Sequence, residues 1–314
     1  MIYKLIKDNV KYDGIFLILL FIIIISTFTI ISPCFFSIMN FKNIILYSSA
    51  IGIIALAETM VIIMGGLDIS VGSVYALAGI VVAKFHTIVG LKYAILLGLL
   101  VGVIFGLING LSVTKLKINP LITTIATMSI ARGLAFVVNS GSTAAILDPV
   151  FGKLGRGMIF GLSNQIWYYI LAFIIFYIIM KKTIYGKSIY AIGSNERSAL
   201  FAGIKVDKIK LMTYVLSAII AALVGIIQTS QMGAGAPQAG IGLEMSVIAA
   251  VILGGTSLDG GKGTIIGTTL GVLLIGSLNN GLLLKSVSSD WQNIITGGIM
   301  LLAIAGDQLR KEID

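Results

Sequence analysis

The chain has 314 residues, 57% of them hydrophobic and only 11% charged, with a mean hydropathy of +1.05. Soluble globular domains carry about 25% charged residues, so a soluble fold is excluded and an integral membrane protein is expected. The formal net charge of +9 does not mark a nucleic-acid binder, because no aromatic residues interleave with a basic stripe and Lys and Arg sit mainly between apolar runs.

Lys4, Lys7 and Lys11 precede an apolar run from Gly14 to Ile31. That run exceeds a signal-peptide h-region of about 7–15 residues and has no small-x-small site before Pro33, so a retained first helix is expected. The lone Cys34 excludes an intrachain disulfide and reads as a small packing residue near a helix end. Apolar runs fall at 14–32, 43–64, 71–89, 91–113, 120–139, 165–182, 211–229, 243–255, 264–284 and 291–306. They predict an all-α membrane protein of about ten transmembrane helices, forming one permease-like domain over residues 1–314. Helices are the only plausible spans, since these runs are too long for barrel strands and lipid satisfies no backbone polar group. The run at 243–255 is short for a full crossing, which needs about 20 residues.

With the N-terminus cytoplasmic, fifteen of the 22 Lys and Arg residues fall on the cytoplasmic side and six outside, leaving Arg132 within a span. The positive-inside rule therefore predicts both termini in the cytoplasm. Gly98, Gly102, Gly106 and Gly110 recur every fourth residue and line one helix face suited to close packing. Residues 140–164 form the longest outside connection, and residues 183–210 form the most polar inside loop.

Three motifs stand out. MGGLDISVGS, residues 64–73, joins the second and third spans. Gly65, Gly66 and Gly72 allow unusual backbone there, and Asp68 and Ser70, followed by Ser73, can cap the next helix. A broken helix lining a cavity and an ordinary capped loop both fit these residue types. LGGTSLDGGKGT, residues 253–264, has the same character, with Gly254, Gly255, Ser257, Gly260 and Gly261. It fails as a phosphate loop: the required first glycine falls on Thr256 and Gly263 replaces the Ser or Thr after Lys262, so this chain is not expected to bind ATP itself. The third motif, YAIGSNERSALFAGIKVDKIK, spans residues 190–210. Ser194 or Asn195 can cap a short helix, Glu196 suits its first turn and Gly203 its end. Ala199, Leu200, Phe201 and Ile204 would give that helix an apolar side, to be covered by the membrane interface or by a groove in a partner protein.

Other polar residues fall within spans. Glu58, Arg132 and Glu244 are functional candidates by default. Arg132 could snorkel toward the cytoplasmic side, and Glu58 could pair with it, be protonated or line a path. Asn109, Asn279 and Asn280 lie near Gly-rich helix ends, suited to interhelical hydrogen bonds or solute contact. GLINGL at 106–111 resembles GSLNNGL at 276–282, and the five spans between them suit an inverted repeat of spans 2–5 and 7–10.

GGLDISVGS, GGTSLDGGKGT, YAIGSNERSALFAGI and SLNNGL, in this order and spacing, resemble the ribose-type permease family of ATP-binding-cassette importers, within the branched-chain amino acid and ribose permease superfamily. The resemblance runs from about Ile44 to Leu309. It implies a non-catalytic transport subunit in the bacterial cytoplasmic membrane, for a monosaccharide or related small polar solute. It further implies that residues 190–204, with Gly193, Asn195, Glu196, Ala199, Phe201 and Gly203, couple to a separate ATPase that holds the ATP and Mg. A second permease copy or sister permease and an extracytoplasmic binding protein are implied partners, and Gly65 to Ser73, Gly254 to Gly261 and the three asparagines are candidates for the path. Ser194, Asp259 and Glu58 depart from the family pattern. The competing function is an ion-gradient-driven secondary transporter, with Glu58, Asp68 and Glu244 as ion or proton ligands. A membrane enzyme is disfavoured by the lack of a His-rich metal set, paired catalytic carboxylates or a nucleophile elbow.

Overall fold

The computed structural model describes residues 13–288, 290–292, 294–299 and 301. Its helices are α1 (Asp13–Ile31), α2 (Ile38–Ile63), α3 (Val71–Val89), α4 (Leu91–Thr114), α5 (Pro120–Val138), α6 (Pro149–Arg156), α7 (Asn164–Lys182), α8 (Ile184–Ser194), α9 (Glu196–Phe201), α10 (Val206–Met232), α11 (Leu243–Leu253) and α12 (Ile265–Leu284). Many begin where side chains stop the backbone donors from going unpaired. The Ser37, Asn119, Asp148, Thr183 and Thr264 side chains each accept a hydrogen bond from the first turn of the helix they precede. Pro120 and Pro149 occupy first-turn positions where the missing N–H costs nothing.

Seven of these helices are long and apolar enough to cross a membrane: α2, α3, α4, α5, α7, α10 and α12. The described residues thus give fewer qualifying spans than the ten apolar runs. The run at 243–255 folds as the short α11, as its length foretold, and the run at 291–306 lies partly outside the described residues, which are helical at 290–292, 294–299 and 301. The first run forms α1, apolar over Leu19–Ile31 among the described residues. Cys34 is exposed rather than packed, since the turn after α1 points it away from the helices.

The centre of the molecule is α2 and α3. α10 packs along α4, α3 and α2, while α12 packs against α2 and α11. The glycine stripe of α4 lets it press onto α10: a Cβ at Gly102 would lie 2.7 Å from the Ala218 carbonyl oxygen, and one at Gly106 would lie 2.5 Å from the Val215 Cα. That role is packing, where dispersion replaces the hydrophobic drive that lipid removes.

The 140–164 connection is ordered. Strand β1 (Ala144–Ala145) leads to α6, and strands β2 (Met158–Ile159) and β3 (Leu162–Ser163) form a small hairpin before α7. β1 pairs antiparallel with β4 (Ala234–Gly235), which follows α10. Beyond β4 the chain doubles back along α3: the backbone at Gly235 rests on Gly79 and Ala83, and that at Gly240 rests on Gly72 and Tyr75. Seven residues of α3 separate those levels, roughly 10 Å of helix axis.

Candidate functional site

The three sequence motifs, far apart in the chain, meet at one point. The Gly261 N–H donates to the Ile63 carbonyl at 2.8 Å, which joins the end of α2 to the 254–264 segment. Gly193, near the end of α8, presses its backbone against the same carbonyl and against the Gly261 nitrogen. Gly260 fits between the Gly65 nitrogen and the Gly193 carbonyl. The Tyr190 hydroxyl donates to the Gly263 carbonyl at 2.8 Å, and burial raises its pKa above the ordinary value. The result is a junction in which the backbones at Ile63, Gly193 and Gly261 meet directly, with the Tyr190 and Ser194 side chains packed around them.

From this junction α9 projects outward. Asn195 caps it, accepting from the Ser198 N–H at 2.9 Å, and Gly203 ends it at φ 82°. Ala199 is buried against the body of the protein, while Leu200 and Phe201 are 61% and 89% exposed. Glu196 is bonded to Lys210 at 2.7 Å, so α9 sits beside the start of α10, which Asp207 ties in turn to Lys115 and Lys117 after α4 at 3.2 Å each. These exposed pairs contribute about 0–1 kcal/mol each.

Behind the junction lies a buried polar network. Glu58 Oε1 accepts from the Asp68 N–H at 2.9 Å, and Glu58 Oε2 accepts from Ser217 Oγ at 3.4 Å. Asp68 Oδ1 accepts from the Ser70 N–H at 2.9 Å and from Ser70 Oγ at 2.5 Å. Asn109 Nδ2 reaches Ser70 Oγ at 3.0 Å, and Asn109 Oδ1 accepts from Thr127 at 2.7 Å. The 64–70 turn is thereby tied to α2, α4, α5 and α10. Two expectations change here. Ser70 precedes α3 in helical conformation and makes no side-chain cap; its hydroxyl is spent on Asp68. Glu58 does not pair with Arg132, because the Asp68 backbone occupies its carboxylate.

Arg132 lies elsewhere. Its Nη1 donates to the carbonyls of Pro237 at 2.6 Å and Ala239 at 2.7 Å, in the segment that doubles back along α3. Thr127 sits level with Asn109, five residues before the end of α4, and Arg132 is five residues further along α5. That puts Arg132 about 18 Å from the start of α5 and about 9 Å from its end, inside the helix rather than at its terminus. Snorkelling is thus overturned: the side chain holds backbone carbonyls instead. Glu244, at the start of α11, acts on Arg132 electrostatically without a salt bridge among the described residues.

The remaining predicted positions separate. Gly254 packs against Gly267 on α12, Gly72 lies by Gly240, and Ser73 is buried at the start of α3. Asn280 accepts from Asn40 at 2.9 Å, an interhelical bond between α12 and the start of α2, while the Asn279 side-chain oxygen is buried without a partner among the described residues. A cavity of about 200 Å³ lies among α2, α3, α7 and α10, lined in part by Tyr47, Tyr75, Gln165, Gln228 and Gln231. Among the described residues, no three His, Cys, Asp or Glu side chains gather as a metal site. Tyr190, Thr127 and the Ile63 carbonyl were not foreseen as participants; the Pro- and Gly-rich stretch 233–242 was the signal available for the turn that Arg132 holds.

Among the described residues, seven helices long and apolar enough to cross a membrane, with irregular glycine-rich backbone held between them, mark a polytopic membrane protein. Residues 40–304 match the family model described as branched-chain amino acid transport system / permease component, and the chain belongs to that family. It is 43% identical over 313 residues to the ribose import permease protein RbsC of Bacillus subtilis, covering 97% of both chains. It is 36% identical to the L-arabinose ABC transporter permease protein AraH of Azospirillum brasilense, over 94% of this chain and 87% of the relative. It is 39% identical to the ribose import permease protein RbsC of Haemophilus influenzae, over 91% of this chain and 90% of the relative. No solved structure matches the chain.

Proposed function

We propose that this chain is the membrane permease subunit of an ATP-driven importer for a ribose- or pentose-like monosaccharide or a related small polar solute. The relatives named as ribose and arabinose permeases support the solute class. They favour this reading over an ion-gradient carrier. The chain performs no bond chemistry; ATP and Mg are held by a separate ATPase subunit. Two permeases, as identical copies or sisters, enclose the path in the bacterial cytoplasmic membrane, and an extracytoplasmic binding protein delivers the solute. Both termini lie in the cytoplasm, ten helices cross or enter the bilayer, and spans 2–5 and 7–10 form an inverted repeat.

The observation that carries the coupling role is the backbone junction at Ile63, Gly193 and Gly261. α9 offers Phe201 and Leu200 to a groove in the ATPase. A push on α9 passes through the direct backbone contact of Gly193 with Ile63 and Gly261 into the ends of α2 and of the 254–264 segment, and so to α12. Alternating access follows as these elements rock against α3 and α10. The test replaces Glu196 and Phe201 together by alanine and measures ATPase association and sugar uptake. Loss of both is expected; unimpaired association with unimpaired uptake defeats the assignment.

A further inference from the structure

The turn at 236–242 carries the acceptors that hold Arg132. It is non-helical backbone lying about as deep as the start of α3, on a face where Ile241 is 68% and Met245 44% exposed. Its own carbonyls are paired: those of Ala236, Gln238 and Gly240 accept from the N–H groups of Ala239, Ile241 and Leu243, and those of Pro237 and Ala239 accept from Arg132. The spare capacity lies on Arg132. It is about half-buried, about 9 Å from the end of α5, and uses only Nη1 on the carbonyls of Pro237 and Ala239. Guanidinium carries five N–H donors. The Nε and Nη2 donors have no protein acceptor among the described residues. A cation with spare donors is not left facing hydrocarbon.

We propose that Arg132 contacts the transported solute: with Ile241 and Met245 it lines the polar path on the face this chain turns toward a second permease copy. This rests on the importer reading above and adds the residue and face that the solute meets. The chemistry fits a neutral polyol. A guanidinium edge donates to hydroxyl oxygens, and without an anionic group on the solute the contact stays weak enough to release it. Arg132 also anchors the turn, so its two roles must be separated experimentally.

The complete transporter, with its ATPase and binding protein, is reconstituted from a Cys34→Ser permease carrying Ile241→Cys, Met245→Cys or, as a lipid-facing control on α7, Ile174→Cys. Each is labelled with a charged, membrane-impermeant thiol reagent added to permeabilised vesicles. Cysteines at 241 and 245 are expected to react while that at 174 does not, and turnover with loaded binding protein and ATP is expected to slow labelling at 241 severalfold. In parallel, Arg132→Gln is expected to lower the maximal uptake rate at least tenfold, with Arg132→Lys recovering a substantial part. Arg132→Gln should also narrow discrimination against a sugar lacking one hydroxyl, which loss of an anchor alone would not do. The proposal is overturned if position 241 reacts only with a lipid-soluble reagent, if turnover leaves its labelling unchanged, or if Arg132→Gln transports with wild-type rate and discrimination. Labelling reads the lining of the face even in a transporter that fails to import sugar, so failure of this assignment is distinct from failure of the importer reading.

Discussion

The backbone junction makes Gly193→Ala the most informative single change. A methyl at Gly193 would fall inside the contact radius of the Ile63 carbonyl oxygen and 2.5 Å from the Gly261 nitrogen. Both obstacles are backbone, so no rotamer can relieve them. Overpacking of this kind costs about 1–3 kcal/mol. The forced separation also breaks the 2.8 Å bond from Gly261 to Ile63, and a buried donor left unpaired costs about 1–3 kcal/mol. The two together destabilise the junction by about 2–6 kcal/mol, with α9 displaced relative to α2. Gly203→Ala is the matched control: its φ of 82° strains alanine, but nothing lies within 4 Å of the added methyl, so its cost is about 1–2 kcal/mol. The assay is ATP-driven sugar uptake by reconstituted transporter, with thermal unfolding of the purified permease alongside. Gly193→Ala is expected to abolish most uptake and lower the unfolding temperature, with Gly203→Ala much milder on both. Wild-type uptake and stability in Gly193→Ala would refute force transmission through this junction.

Phe201→Ala is expected to leave permease stability within about 0.5 kcal/mol, because the side chain is 89% exposed, while reducing uptake at least tenfold; unfolding and transport measured on the same preparation check the split. Asp68→Ala removes the acceptor for the Ser70 N–H and hydroxyl inside the buried network. It should cost about 2–4 kcal/mol, read as lower folded yield in mild detergent, with Asp68→Asn retaining part of the loss. Gly102→Leu should force α4 from α10, since even a Cβ there lies 2.7 Å from the Ala218 carbonyl; aggregation on size-exclusion chromatography tests it, and a monodisperse variant of normal stability contradicts the packing role.

Much of the fold was legible because lipid simplifies the problem. Apolar runs at 43–64, 71–89, 91–113, 120–139, 165–182, 211–229 and 264–284 became the seven qualifying helices, since only helices satisfy their backbone in hydrocarbon. The short run at 243–255 was rightly read as atypical. The count of ten spans was not recovered among the described residues: the run at 243–255 is the short α11, and the run at 291–306 lies partly outside those residues. The capping of α9 by Asn195 was readable because it is local. What the sequence hid was long-range. No spacing reports that Gly193 meets Gly261 and Ile63, or that Glu58 accepts from Asp68 rather than pairing with Arg132. For Arg132, snorkelling and a functional role both stayed open, because the partner carbonyls of Pro237 and Ala239 lie over a hundred residues away, in a turn whose depth only the packing on α3 reveals.

We propose that an ATPase acting on α9 drives solute through this chain. The direct measurement is ribose uptake by proteoliposomes holding the purified permease, with the ATPase and the binding protein added or withheld and a proton ionophore present throughout. Accumulation only when both partners and hydrolysable ATP are supplied, undiminished by the ionophore, is the predicted result. Accumulation by the permease alone under an imposed ion gradient, or no dependence on the ATPase, would contradict it.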